Sequence, residues 1–205
     1  MKSTSLHWRP SKNGVTVDAS LDVVVHPGKT NEVVLIVPGV DGSVDGYEDK
    51  YIKMANLITD HYGSAVVRIS NPFISSFHWE DNIRKALEFI EAGQSDYFDV
   101  KPASIRIIGH SAGASVAAWL AHEYPKVRQL TLINMAEKLE ADRIEEGLKS
   151  FDGSVELVYG SEDPSIEFGR KLGDKYKLTV VEGADHNFSG DHTERFIKIP
   201  IEVTL

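Results

Sequence analysis

The chain of 205 residues is 41% hydrophobic and 26% charged and has no cysteine, which excludes a disordered, a collagen-like and a disulfide-stapled protein and favours one globular domain. With 22 Lys+Arg against 31 Asp+Glu the formal charge is −9, which repels nucleic acid and anionic membrane. The missing thiols also remove a cysteine nucleophile and a thiolate metal site.

The first ten residues contain no apolar h-region, and no apolar run approaches the ~18 residues of a membrane span, so the expectation is a soluble, cytoplasmic protein with no nucleic-acid or membrane partner. Residues 5–9 and 15–25 read as extended around the turn Ser11-Lys12-Asn13-Gly14, a hairpin at a sheet edge. Val33-Val34-Leu35-Ile36-Val37 is a continuous apolar run, as in strands covered on both faces. Tyr51, Met54, Ala55 and Ile58 recur at i, i+3, i+4, i+7 and predict a helix over 47–62, ended by Gly63. Strand 65–69 comes next, then a helix over 79–92 carried by Ile83, Ala86, Leu87 and Ile90, strand 105–108, and a helix over 112–124 stopped by Pro125. Strands 130–133, 155–159 and 178–181 then alternate with helices 137–149, 165–172 and 190–197. The closing Ile199-Pro200-Ile201-Glu202-Val203-Thr204-Leu205 reads as a last edge strand, where proline is tolerated. Such alternation requires right-handed crossovers and predicts an α/β fold, a mostly parallel central sheet covered on both faces with an antiparallel N-terminal edge. No repeat, linker or low-complexity segment divides it.

Open parallel sheets bind ligands beyond the carboxyl ends of their strands, so the residues that follow each strand are the candidates. Gly109-His110-Ser111-Ala112-Gly113 follows strand 105–108 and opens a helix, the G-x-S-x-G pattern in strand–turn–helix context. A nucleophilic serine needs a tight, strained turn that exposes its hydroxyl, and the flanking glycines let strand and helix pack closely enough to form it. Gly160-Ser161-Glu162-Asp163 follows the next-but-one strand as G-x-x-D, and Gly183-Ala184-Asp185-His186 follows the last parallel strand as G-x-x-H.

In these three motifs and their order, nucleophile, acid, histidine, the sequence resembles the α/β-hydrolase superfamily of serine hydrolases, from about residue 15 to 198. The resemblance implies a three-layer α/β-hydrolase fold, one domain over residues 1–205. It also implies a catalytic triad in which His186 takes the proton of Ser111 and Asp163 orients His186. By family position the oxyanion hole consists of the backbone N–H groups of Ala112 and Val40. The loop Pro38-Gly39-Val40-Asp41-Gly42-Ser43 departs from the pattern, with Pro38 where many relatives have histidine. Asp41 is expected to point outward or bond the loop backbone, since an inward carboxylate opposes a developing oxyanion.

Relatives often carry a lid between the strand after the nucleophile helix and the acid strand, but residues 137–154 have room for one helix only. That predicts an open site suited to accessible small-molecule esters or to acyl groups on a larger carrier. The pocket is expected to include Asp41 and His110 together with Phe73, Phe77 or Trp79 from the aromatic segment 71–79. The function this implies is hydrolysis of a carboxylic ester or thioester. The alternatives are a small peptidase or amidase of the same fold, or a noncatalytic binding protein that kept it.

Other residues compete less well. His192 rivals His186 but falls inside the last predicted helix, and Glu162 and Asp185 neighbour the acid and histidine positions out of register. Asn134 and Glu137 mark a site where some relatives place the acid. His7, His26, His61, His78 and His122 have no motif around them and read as surface or turn residues. Gly28-Lys29-Thr30 resembles the end of a phosphate loop, but Val23 replaces its first glycine and a strand follows where a helix is needed. The Asn187-Phe188-Ser189 glycosylation triplet has no secretory signal to give it meaning. No metal or other cofactor is expected, because no His, Asp and Glu set has ligand spacing.

Overall fold

The computed structural model describes residues 1–75, 78–137 and 139–202. β1 (Lys2–Trp8) pairs antiparallel with β2 (Ala19–His26), and a two-residue ladder of Ser11–Lys12 with Val15–Thr16 closes the connection between them. The edge hairpin is thus present, with β1 beginning earlier than its apolar content suggests because Lys2 and Ser3 pair with Val25 and Val24.

Six parallel strands follow: β3 (Glu32–Val37), β4 (Ala65–Ile69), β5 (Ser104–His110), β6 (Val127–Ile133), β7 (Ser154–Gly160) and β8 (Lys177–Val181). The sheet has eight strands in the order β1-β2-β4-β3-β5-β6-β7-β8, with β2 antiparallel to both β1 and β4. Helices α1 (Lys50–Tyr62) and α6 (Thr193–Glu202) cover one face. The other face carries α2 (Asp81–Ala92), α3 (Ala112–Leu120), α4 (Ala141–Ser150) and α5 (Ile166–Gly173). Side-chain alternation along the strands sorts the two layers. Val33, Leu35 and Val37 face the α2–α5 layer while Val34 and Ile36 face α1 and α6, so β3, apolar at every position from 33 to 37, is buried on both sides. Every residue of α3 is buried, and its run of Ala, Gly, Ser and Val lets it lie close between the sheet and α4.

Three expectations change. Up to Glu202, the last described residue, the tail does not form an edge strand: α6 runs to Glu202 with Pro200 inside it, because Phe196, Ile199 and Pro200 at helical spacing bury against the sheet and α1. Pro200 falls in the last turn, and its carbonyl accepts bonds from Tyr62 Oη at 3.2 Å and Arg106 Nη2 at 3.2 Å. Helix α1 begins at Lys50 and not at residue 47, since Glu48 and Asp49 are left-handed with φ of 52° and 59°. His26 is not a surface residue: it is buried at the end of β2 and accepts a bond from Arg68 Nε at 3.0 Å. Among the described residues no helix is long and apolar enough to cross a membrane, and no group of His, Asp and Glu could hold a metal ion.

Candidate active site

Ser111 follows β5 and precedes α3, with φ 56° and ψ −125°. A positive φ is disfavoured for a residue with a Cβ and costs on the order of 1–3 kcal/mol, so the surroundings must impose it. They do so at both ends. The Ser111 N–H donates to Ile133 O at 2.9 Å, and its carbonyl accepts from the N–H groups of Ala114 at 3.0 Å and Ser115 at 3.1 Å. The two glycines of the motif permit the closeness: a Cβ on Gly109 would lie 2.5 Å from Ala114 Cα, and one on Gly113 would lie 2.3 Å from Pro38 O.

The turn aims Ser111 Oγ at His186, whose Nε2 lies 2.8 Å away. On the other side of the ring, Nδ1 lies 2.5 Å from Asp163 Oδ2. Asp163 is buried, and its second oxygen accepts the Ser165 N–H at 2.7 Å, so the carboxylate is held from both sides. Sheet topology produces this chain of bonds. The three residues stand beyond the carboxyl ends of β5, β7 and β8, and the acid and histidine loops are tied directly by Glu162 N–H to Ala184 O at 3.0 Å.

The rival residues lie elsewhere. Asp185 accepts the N–H groups of Ser189 at 2.9 Å and Asn187 at 3.0 Å, and the Ser189 contact first of all holds its carboxyl below the usual range. It caps its own loop. Glu162 is exposed, and His192 packs against the Gly183 turn. The Gly28-Lys29-Thr30 segment is a turn whose residue 29 and 30 N–H groups donate to Gly63 O.

No protein-family model and no curated protein matches the chain. Solved structures do. It is similar to Est1E from Butyrivibrio proteoclasticus, with a TM-score of 0.70 and 16% identity over 96% of this chain and 98% of that one. It is similar to an alpha-beta serine hydrolase homologue from Coxiella burnetii, with a TM-score of 0.67 and 16% identity over 98% and 97% of the two chains. It is also similar to XC6422 from Xanthomonas campestris, an a/b serine hydrolase without lid, with a TM-score of 0.64 and 15% identity over 97% and 91%. The fold is that of the α/β-hydrolases.

In this hydrolase fold the cleft beside Ser111 has a volume of about 350 Å³. Its walls are the 38–43 loop, the segment Gly46–Tyr51, and His110, His186 and Asn187. Val40 borders it and is 45% exposed. Ala112 is the first residue of α3, where the backbone N–H has no partner within the helix. Asp41 does not enter the cleft. Its Oδ1 accepts Phe73 N–H at 2.8 Å and its own N–H donates to Asn71 O at 2.8 Å, fastening the 38–43 loop to the segment after β4.

The aromatic residues expected in the pocket are placed differently. Phe73 and Trp79 stack edge to face with ring centroids 5.2 Å apart and line a separate hollow of about 10 Å³ behind Val40. They turn from the main cleft because Asn82 Nδ2 draws the segment inward through Asn71 Oδ1 at 2.8 Å and Pro72 O at 2.9 Å. Phe77 lies outside the described residues. His110 does reach the cleft, but its ring is engaged on both nitrogens. A carbonyl can only accept, so Nε2 donates to His186 O at 2.9 Å, and Nδ1 accepts from Tyr51 Oη at 3.3 Å. Burial, and then the charge of Lys50, pushes the His110 pKa down to about 3, which keeps this neutral tautomer.

The sequence assigned no site role to Lys50, Tyr51 or Ser115, and marked Asn134 only as an alternative acid position. Asn134, buried after β6 in left-handed conformation, donates from Nδ2 to His186 O at 2.8 Å and Asp185 O at 3.2 Å and accepts Gly160 N–H at 2.9 Å. It joins the ends of β6 and β7 to the histidine loop as an amide; as the alternative acid position it has no carboxylate. Ser115 Oγ links Ser111 O at 3.3 Å with the Ala136 backbone, and Lys50 and Tyr51 line the cleft beside the elbow. Apart from Ser115 to Ser111, four positions away, these bonds join residues 21 to 52 positions apart, and no local motif encodes them.

Proposed function

We propose that this chain is a serine hydrolase that cleaves a carboxylic ester or thioester through an acyl-serine intermediate. The observation that carries the proposal is the continuous bond path from Ser111 Oγ through His186 to the buried Asp163, opening on a cleft. A serine hydroxyl is a poor nucleophile at neutral pH, so attack requires a base within hydrogen-bond reach, and His186 Nε2 is at that distance. As Ser111 Oγ bonds to the acyl carbon, its proton passes to His186. The imidazolium gains the Asp163 carboxylate as counter-charge, and the carbonyl oxygen becomes an oxyanion facing the backbone N–H groups of Ala112 and Val40. Collapse breaks the bond to the leaving oxygen or sulfur, which takes the proton from His186. Water, deprotonated by the same imidazole, then attacks the acyl-serine and releases the carboxylic acid, with Ser111 recovering its proton.

The connection between β6 and β7 contains α4 and no further helix among the described residues, which supports a site without a lid and substrates that present an accessible acyl group. The test is labelling with a fluorophosphonate, which phosphonylates an activated serine hydroxyl. The folded wild type should acquire one adduct on Ser111, and Ser111→Ala should acquire none. Folded wild-type protein that forms no such adduct would assign the fold to a noncatalytic binding role. Turnover of p-nitrophenyl esters, an acyl-thioester and an amide in parallel then separates esterase, thioesterase and amidase.

A further inference from the structure

The wall of the cleft beside Ser111 contains a buried cation. Lys50, the first residue of α1, is only 7% exposed and lines the cleft with Ser111 and His186. Its Nζ lies 4.4 Å from the centroid of Phe196 and 5.4 Å from that of Tyr51, and donates one long bond to Asn187 O at 3.4 Å. Among the described residues it has no ion pair. Asp185, the acid whose charge acts on it, is occupied by the backbone of its own loop.

Two physical terms oppose a cation here. Burying an unpaired ammonium is costly, and the ring contacts offset only part of that cost. The amino terminus of a helix carries positive dipole charge and disfavours lysine. A leucine or methionine would cover Phe196 without these costs. An anion entering the cleft reverses both, since it pairs the ammonium and is drawn by the helix terminus.

We infer that Lys50 is the receptor for an anionic group on the substrate, so that the substrate class is esters or thioesters bearing a carboxylate or similar oxyanion. The inference deepens the serine hydrolase reading and rests on it. Space for such a substrate continues past Lys50. A second hollow of about 370 Å³, lined by Tyr47, Lys50 and Asn187 together with Phe188, Ser189 and Thr193, adjoins the first along this same wall. Lys50 stands where the two meet, within reach of an arm that extends from an acyl group held at Ser111.

The test compares two pairs of p-nitrophenyl-type esters in the wild type, Lys50→Met and Lys50→Arg. The first pair puts the anion on the acyl arm, the mono-p-nitrophenyl ester of adipic acid against its methyl-capped diester. The second puts it on the leaving group, 3-carboxy-4-nitrophenyl butyrate against 4-nitrophenyl butyrate. The readout is the kcat/KM ratio of anionic to neutral ester, in which the electronic differences between esters cancel from one variant to the next. In Lys50→Met the ratio should fall by about 10-fold or more for at least one pair, mainly through KM, the loss of one charge-assisted contact. In Lys50→Arg it should stay within about 3-fold of the wild type. Ratios unchanged in Lys50→Met for both pairs would overturn the inference, as would an equal fall for anionic and neutral esters.

Fluorophosphonate labelling in parallel tells the two readings apart. Labelled wild type with unchanged ratios refutes the Lys50 assignment alone, whereas wild type that is neither labelled nor active refutes the hydrolase reading and the assignment with it. If Lys50→Met does not fold, the wild type decides by itself. Glutarate should slow labelling of Ser111 while glutaramide of the same size does not, and equal effects of the two would overturn the inference.

Discussion

Ser111 and His110 show how one turn of chain divides its duties between adjacent residues. The first exposes its hydroxyl at a backbone conformation that costs free energy, and the second is buried and fixed on both ring nitrogens between Tyr51 and the His186 carbonyl. Because His110 is held neutral, with its pKa pushed down to about 3 by burial, it contributes position and not proton transfer. Replacing it by phenylalanine keeps the ring volume and removes both bonds. His186 should then sample orientations away from Ser111, and His110→Phe should lower kcat about 10- to 100-fold while KM stays within about 3-fold. Steady-state kinetics on a neutral ester measure the split. A rise in KM at unchanged kcat would mean that His110 binds substrate and does not position the base.

At the scale of elements, the cleft wall depends on a buried arginine in the sheet. Arg68 of β4 donates from Nη1 to Val44 O at 2.6 Å and Asp45 Oδ1 at 2.6 Å, holding the loop that leads into Tyr47 and Lys50, and from Nε to His26 of β2. Burial, and then the positive charge of Arg68, pushes the His26 pKa down to about 4 from 6.5. A histidine whose folded pKa is depressed contributes stability above its unfolded value that is lost as pH falls through the folded one. This contribution is therefore complete above about pH 6.5 and fades toward pH 4, an expected loss of about 2 kcal/mol between pH 7 and 4.5. In His26→Gln the amide oxygen still accepts the Arg68 bond but does not titrate, so urea unfolding at the two pH values should show a loss smaller by about that amount. Equal losses in both proteins would place the acid sensitivity elsewhere.

Across the whole molecule, the proposed function implies a cleft with no lid over it. The loops of Ser111, Asp163 and His186 rise from the carboxyl ends of β5, β7 and β8, and the connection between β6 and β7 is occupied by α4 packed on α3 through Gly147. A site uncovered as proposed has no conformational step for an interface to trigger. Hydrolysis of a sparingly soluble p-nitrophenyl ester should follow one hyperbola up to its solubility limit and stay flat beyond it. A jump in rate where the emulsion forms would reveal a cover that moves.

Patterns of short period determined much of this protein in the sequence. Apolar runs and i, i+3, i+4 spacing marked each strand of the parallel sheet and the helices between them, because burial of a face imposes its period on the residues that form it. The motifs around Ser111, Asp163 and His186 were legible for a related reason: a tight turn at a strand end restricts its residue types locally. The tail was misread because Ile199, Ile201 and Val203 alternate as a strand does, while the partner that decides the matter is α1 across the sheet face. Equally, Phe73 and Trp79 lie next to the cleft in sequence terms but are drawn elsewhere by the bonds that Asn82 donates to Asn71 and Pro72, and the Asp41 carboxylate is held by the Phe73 N–H. The roles of Lys50, Tyr51, Ser115 and Asn134 were decided by tertiary structure alone. Each acts through a contact made when distant strand ends converge, and a single side chain meeting a distant backbone leaves no period and no spacing to read.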